Sequence, residues 1–406
     1  MIPESRKFVE ETRISEKREE INQRNRKKKR YFVLIAAGIA VIVLILVGVQ
    51  ATMTGRLNNY KIVAEFPRAG NQTGYRMGND VFMLYSNDGA KAIAADGSLK
   101  WEMSYLLDNP AIEYCNEVVA VADIGGNTVC VVAENGIPYQ YNVVYPIVKH
   151  AVAKQGVTAV LLDNGTEDYI QLYDIRGELR VDINTKTKTD GIPVDIALSE
   201  DGKRLVTLYA SFDGNFIYGK VTFYNAGEVG KNYIGNVVGQ KIFEENVLVY
   251  DVGFLEDDLV YVLHEKGFVF YRMKETPELL WELTIENEIV DIAIAEKSLY
   301  VVERTPEGKN ILRQYQPDTG LFSGRVVDTW DSIPEYEKLF VTEEEVIFFS
   351  PQKLLIYRNN KSLKYEEEFP GGLEAVYPIG GNRYFLVREG SVQSINLTNG
   401  KQKEGE

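Results

Sequence analysis

The stretch Val194-Asp195-Ile196-Ala197-Leu198-Ser199-Glu200-Asp201-Gly202-Lys203-Arg204-Leu205-Val206-Thr207-Leu208-Tyr209 reads as two strands around a polar turn. Its apolar runs are β-branched and too short for helices, and Asp201-Gly202 supplies the residue types of a tight turn. Working outward, comparable apolar runs begin at Val81, Val118, Val157, Leu205, Leu259, Leu299, Val346 and Tyr384. Their spacings are 37, 39, 48, 54, 40, 47 and 38 residues, a mean of about 43, which is the length of one four-stranded propeller blade. The lead-in recurs too, as Tyr250-Asp251-Val252-Gly253-Phe254 and Val290-Asp291-Ile292-Ala293-Ile294. A β-sandwich has no reason to repeat in this way. The expected fold is an all-β propeller of eight blades, with seven the alternative if one weak repeat is absorbed by a neighbour.

A propeller must close its ring, commonly by building one blade from both chain ends so that no sheet edge stays open. The last repeat, Asn382 to Asn396, holds only about three strands, whereas Tyr60-Lys61-Ile62-Val63-Ala64-Glu65-Phe66 is a strand without a blade. Pairing the two completes an eighth blade.

Ser199-Glu200-Asp201-Gly202-Lys203-Arg204-Leu205 resembles the strand-turn-strand signature of WD40-like and TolB-like propellers. Ala92-Ile93-Ala94-Ala95-Asp96-Gly97-Ser98-Leu99-Lys100-Trp101 resembles the repeat of pyrroloquinoline-quinone-like propellers, and Leu279-Leu280-Trp281-Glu282 is similar in its outer-strand tryptophan. That likeness implies a Trp docked on the neighbouring blade. Over its whole length the chain resembles an uncharacterised family of membrane-anchored β-propeller proteins of Gram-positive bacteria, a domain of unknown function (5711-like). The resemblance implies a topology and no activity.

Residues 31–50 form an apolar stretch without charge, close to the length a helix needs to cross a hydrocarbon core. The basic run Arg24-Asn25-Arg26-Lys27-Lys28-Lys29-Arg30 precedes it, which by the positive-inside rule leaves the N-terminus in the cytoplasm. A cleaved signal peptide, with Val49-Gln50-Ala51 near the cut, is the competing reading; the stretch is longer than a secretory core and its leader is long. The expected organisation is a basic cytoplasmic segment 1–30, a transmembrane helix 31–50, a linker 51–59, an extracytoplasmic propeller 60–402 and a tail 403–406, at the cell membrane.

The first 30 residues hold eleven Lys or Arg against six Glu, so with the whole chain at −14 the remainder carries −19. Such a surface repels nucleic acid and suits solubility or a cationic partner. Cys115 and Cys130 are the only cysteines. If 118–122 and 128–132 form a hairpin, Cys130 lies opposite about residue 120 and Cys115 roughly 16 Å further along, beyond disulfide reach. Two buried free thiols are expected, a bridge requiring a different register.

The chain carries no catalytic signature, and neither cofactor nor metal site is expected. His150 and His264 stand more than a hundred residues apart without ligand spacing, and read as packing or surface residues. No Gly-x-Ser-x-Gly elbow or phosphate-binding loop occurs. A quinoprotein would place adjacent cysteines over the ring, and these two are not adjacent. Asp163-Asn164-Gly165-Thr166-Glu167-Asp168 looks like a calcium loop but departs from EF-hand spacing, and reads as a polar hairpin turn.

The most distinctive segment is the expanded fourth repeat, where aromatic residues crowd around Asp213-Gly214-Asn215. Aromatic rings with acidic and amide neighbours suit a peptide or glycan surface, although alternating aromatics also serve strand packing. The candidate partner-binding residues are Tyr209, Phe212, Asp213, Phe216 and Tyr218, with Trp330 marking a second loop at the same face. The function expected is a binding or scaffold module for a protein or cell-envelope partner. The alternatives are an envelope sensor signalling through its one helix and a glycan-active or quinone-dependent enzyme.

Overall fold

The computed structural model describes residues 55–68, 74–78, 81–133, 135–295, 297–317 and 325–400. The basic segment, the candidate span 31–50 and the tail lie outside the described residues. Among those described, no helix is long and apolar enough to cross a membrane.

The strands form eight antiparallel four-stranded sheets. Seven use consecutive strands: blade one starts at Gly74–Met77, blade two at Pro110–Cys115, blade three at Ile147–Val152 and blade four at Ile192–Leu198. Blades five, six and seven start at Val249–Glu256, Glu288–Ala295 and Lys338–Val341. Blade eight combines Ala375–Gly380, Arg383–Arg388 and Ser391–Thr398 with Asn59–Pro67. In that closure Tyr60 lies opposite Leu397 and Phe66 opposite Val392, so both ends of the ring are sewn into one sheet. Eight blades form the ring, not seven.

The apolar runs that set the repeat are the second strands of the blades, such as Val118–Asp123 and Leu259–His264, buried along their whole length. They are apolar on both sides because each sheet is covered on both faces, so the usual alternation is lost. Alternate residues serve different neighbours. Leu205 and Tyr209 pack against blade three, whereas Val206 and Leu208 pack against blade five. The core is accordingly divided into eight wedges, each shared by two successive blades. Trp101 packs against the wedge it shares with blade two, and Trp281 reaches Tyr315 of blade six at 6.2 Å.

The first strands of successive blades approach one another and line the axis. One mouth of the ring carries the turns between second and third strands together with the connections between blades; we call it the upper mouth. The other turns lie at the lower mouth, where the chain enters: Asn59 faces Thr398, and the Leu57 amide donates to the Lys364 carbonyl at 2.7 Å.

Cys130 faces Val121 and Cys115 faces Val118, and both thiols are free. Cys115 is only half-buried, because it ends its strand at the lower-mouth turn, which corrects the expectation of two buried thiols. Burial pushes each thiol up to about 11, which leaves both unreactive. Both histidines are buried packing residues, His150 with Nε2 3.2 Å from the Ala120 carbonyl oxygen and His264 against Phe243 at 5.3 Å.

Candidate functional site

In blades three to six the first strand carries one extra residue against its neighbour, namely Val148, Val194, Tyr250 and Val290. Such a bulge bends the strand and re-aims a side chain that regular pairing would bury. All four residues are exposed near the upper mouth. The recurrent lead-in in the sequence is this bulge, and each extra residue is followed by a charged one: Lys149, Asp195, Asp251 or Asp291.

These charges link blades around the channel. Lys149 pairs with Asp195 across blades three and four, and Asp195 also accepts from the Ile196 amide at 2.7 Å and the Val252 amide of blade five at 3.4 Å. Arg76 of blade one meets Glu113 of blade two at 3.1 Å. Burial raises the Glu113 carboxyl above its ordinary value, with Asp195 adding to the effect against Arg76 and Lys149. Asp251 is pushed up to about 6, first by burial and then by the neighbouring Asp195 charge. Burial likewise raises Asp291. The rest of the wall differs: Phe340 of blade seven packs edge-on against Tyr377 of blade eight at 5.3 Å, and Tyr377 against Tyr75 of blade one at 6.1 Å.

Above this throat the upper mouth carries an apolar crown. At or beside each of the first four connections between blades an aliphatic side chain is exposed: Leu106 (88% exposed), Val144, Ile192 at the start of blade four, and Leu248. The crown rises at blade four, whose hairpin strands Arg204–Asp213 and Phe216–Asn225 are ten residues each. The first strand of that blade ends opposite Ala210, so Ser211, Phe212 and Asp213 overhang it. Phe212 is therefore 62% exposed, Phe216 and Asp213 are exposed beside it, and Tyr218 is half-buried below.

Tyr209 and Trp330 belong to the interior, which corrects their placement on a partner-facing surface. Tyr209 is fully buried, its hydroxyl 2.7 Å from that of Tyr224 and its ring 4.7 Å from the Lys220 ammonium. Trp330 lies 5.6 Å from Tyr357 and 6.2 Å from Phe348 of blade seven, in the wedge between blades six and seven. Its loop does reach the upper mouth. The residues that sequence reasoning missed are the bulged residues and the charges after them; their signal was the lead-in, which marked the repeat without revealing an exposed residue.

Also at the upper mouth, a cleft of about 780 Å³ separates blades six and seven, lined by Val290, Asp291, Arg304, Ile333, Glu335 and Glu337 among others. Its one lining arginine pairs with Glu288 at 3.1 Å, so the cleft is acidic. At the lower mouth a cleft of about 710 Å³ has mixed walls, including Trp101, Tyr114, Asp96, Lys100 and Arg383. Among the described residues no group of His, Cys, Asp or Glu could hold a metal ion. In the loop 163–168 the Asn164 side chain instead accepts from the Thr166 and Glu167 amides at 2.9 and 2.8 Å, as a hairpin turn does.

No curated protein matches the chain. Solved structures do, at the level of fold. The WD40 domain of SCAP from fission yeast superposes with a TM-score of 0.50 at 10% identity, covering 84% of this chain and 98% of that one. BamB from Moraxella catarrhalis gives 0.47 at 10% identity, covering 84% and 100%. Hydrazine synthase from Kuenenia stuttgartiensis gives 0.43 at 15%, covering 71% and 95%. The family model that matches, over residues 53–397, is a family of unknown function (DUF5711), and the chain belongs to that family.

Proposed function

We propose that the protein is a membrane-anchored extracytoplasmic propeller that acts as a binding or scaffold module for a protein or cell-envelope partner. The observation that carries this reading is the apolar crown at the upper mouth, where Leu106, Val144, Leu248 and Phe212 stand in water around one opening; other exposed apolar residues, such as Ile234 and Leu99, lie at the turns of the lower mouth. Exposed apolar groups gathered on one face mark an interaction surface more often than a solvated one. The charge-free stretch 31–50 and its basic flank support one span with the N-terminus in the cytoplasm.

Crosslinking in intact cells, with the span and leader alone as control, tests the binding reading: a reproducible partner absent from the control supports it, and none above the control contradicts it. Proteolysis of spheroplasts tests the topology. Digestion of the ring with an intact membrane marker is expected, and survival of the full chain would place the ring inside.

A further inference from the structure

Resting on the scaffold reading, we propose that the upper mouth docks a protein segment that carries apolar side chains flanking a lysine or arginine. Three features of that mouth converge. The crown offers apolar area at Leu106, Val144, Leu248 and the Phe212 tip. Within it, the bulges present Val194, Tyr250 and Val290 at the channel opening, so that the apolar surface continues downward from the rim.

The third feature is charge. Behind the bulged residues Val194, Tyr250 and Val290 stand Asp195, Asp251 and Asp291, and the cleft at blades six and seven adds Glu335 and Glu337. Of the cations at this opening, Lys149 is engaged with Asp195 and Arg304 with Glu288, and Lys338 donates to the Glu374 carbonyl at 3.3 Å. The mouth thus keeps an excess of negative charge under an apolar rim. A complementary partner brings positive charge at its centre and apolar contacts around it: buried apolar area holds it, and the charge sets orientation and selects against acidic sequences. A purely aliphatic surface would leave Asp291, Glu335 and Glu337 dehydrated without a counter-charge on docking. A nucleic acid or an anionic headgroup would be repelled.

The test uses the full-length protein in detergent and three fluorescein-labelled hexapeptides: alternating Leu and Lys, alternating Leu and Glu, and alternating Ser and Lys. The Leu/Lys peptide is expected to bind at least about tenfold more tightly than either of the others, since neither charge nor apolar area suffices alone. The double variant L106S/V144S and the double variant D291N/E335Q are each expected to weaken it about fivefold or more, while K100S/R383S at the lower mouth changes it less than about twofold. All six positions line a mouth or cleft of the ring, and a thermal melt confirms that each variant is folded. Equal binding of the Leu/Glu peptide, or full affinity in the crown variant, would overturn the proposal.

A photo-crosslinking residue placed in cells at Phe212 or Leu106, or at Lys100 or Glu117 in the lower-mouth cleft, separates this failure from that of the scaffold reading. Capture at Phe212 and Leu106, with the crosslinked segment mapped to apolar and basic residues, is the expected result. Capture only at Lys100 and Glu117 would overturn the choice of mouth and leave a scaffold. No capture at any position would overturn both.

Discussion

The two arcs of the channel wall are built from different chemistry. Through blades seven, eight and one the wall is aromatic, with Tyr377 in contact with both Phe340 and Tyr75. Behind them Phe82 meets Phe385 at 5.0 Å in the wedge where the closing blade meets blade one. Through blades two to six the wall is charged, with Glu113, Lys149, Asp195, Asp251 and Asp291 on successive first strands. The aromatic arc lies where the chain ends meet, and its packing secures closure. The charged arc lies in blades whose continuity the chain itself guarantees, and there the bulges leave side chains available.

Phe385→Ala removes a fully buried ring from the closing seam and is expected to cost about 3–5 kcal/mol in denaturant unfolding. A cost below about 1 kcal/mol would mean that the aromatic arc does not hold the ring shut.

Next come two buried titrating groups of the charged arc, with opposite signs. Burial pulls His150 down to about 4, below its unfolded value. It therefore contributes stability above about pH 6.5 that is lost as the pH falls towards 4, worth roughly 3 kcal/mol. Asp251 is raised to about 6, so it contributes stability below about pH 4 that is lost as the pH rises through 6, on the order of 1 kcal/mol after allowance for its partial exposure. Melting temperatures between pH 4 and 7 check both. His150→Leu is expected to become more stable towards acid, and Asp251→Asn to lose stability towards acid more steeply than the wild type. Identical profiles for all three would show that neither group titrates as its surroundings imply.

The smallest effect is expected at the crown. Phe212→Ser and Phe216→Ser touch exposed side chains and should shift stability by less than about 0.5 kcal/mol. A larger loss would make the hairpin tip structural and the crown less free than its exposure indicates.

The closed ring was legible in the sequence for a physical reason. Second strands buried on both faces read as short unbroken apolar runs, and the unclaimed strand at Tyr60 had nowhere to pair except beside the incomplete last repeat. The site was less legible because exposure there depends on geometry finer than the pattern. Leu208 and Phe212 share a face of one strand, yet Leu208 is buried and Phe212 is exposed, since the hairpin outruns its inner neighbour after Ala210. Val194 follows the same logic: a single bulge re-aims it, and no apolar count distinguishes a bulged valine from a regular one. Tyr209 and Trp330 mislead in the opposite sense, as aromatic residues whose strand positions turn them into the wedges.

Binding of the partner at the upper mouth is decided by crosslinking intact cells that express the wild-type chain, a crown variant with Leu106, Val144, Phe212 and Leu248 all replaced by serine, or a K100S/R383S variant of the lower mouth. The captured partner is expected to disappear from the crown variant alone, at unchanged protein level. Persistence of the same partner in the crown variant, or its loss from the lower-mouth variant instead, would contradict binding at the upper mouth.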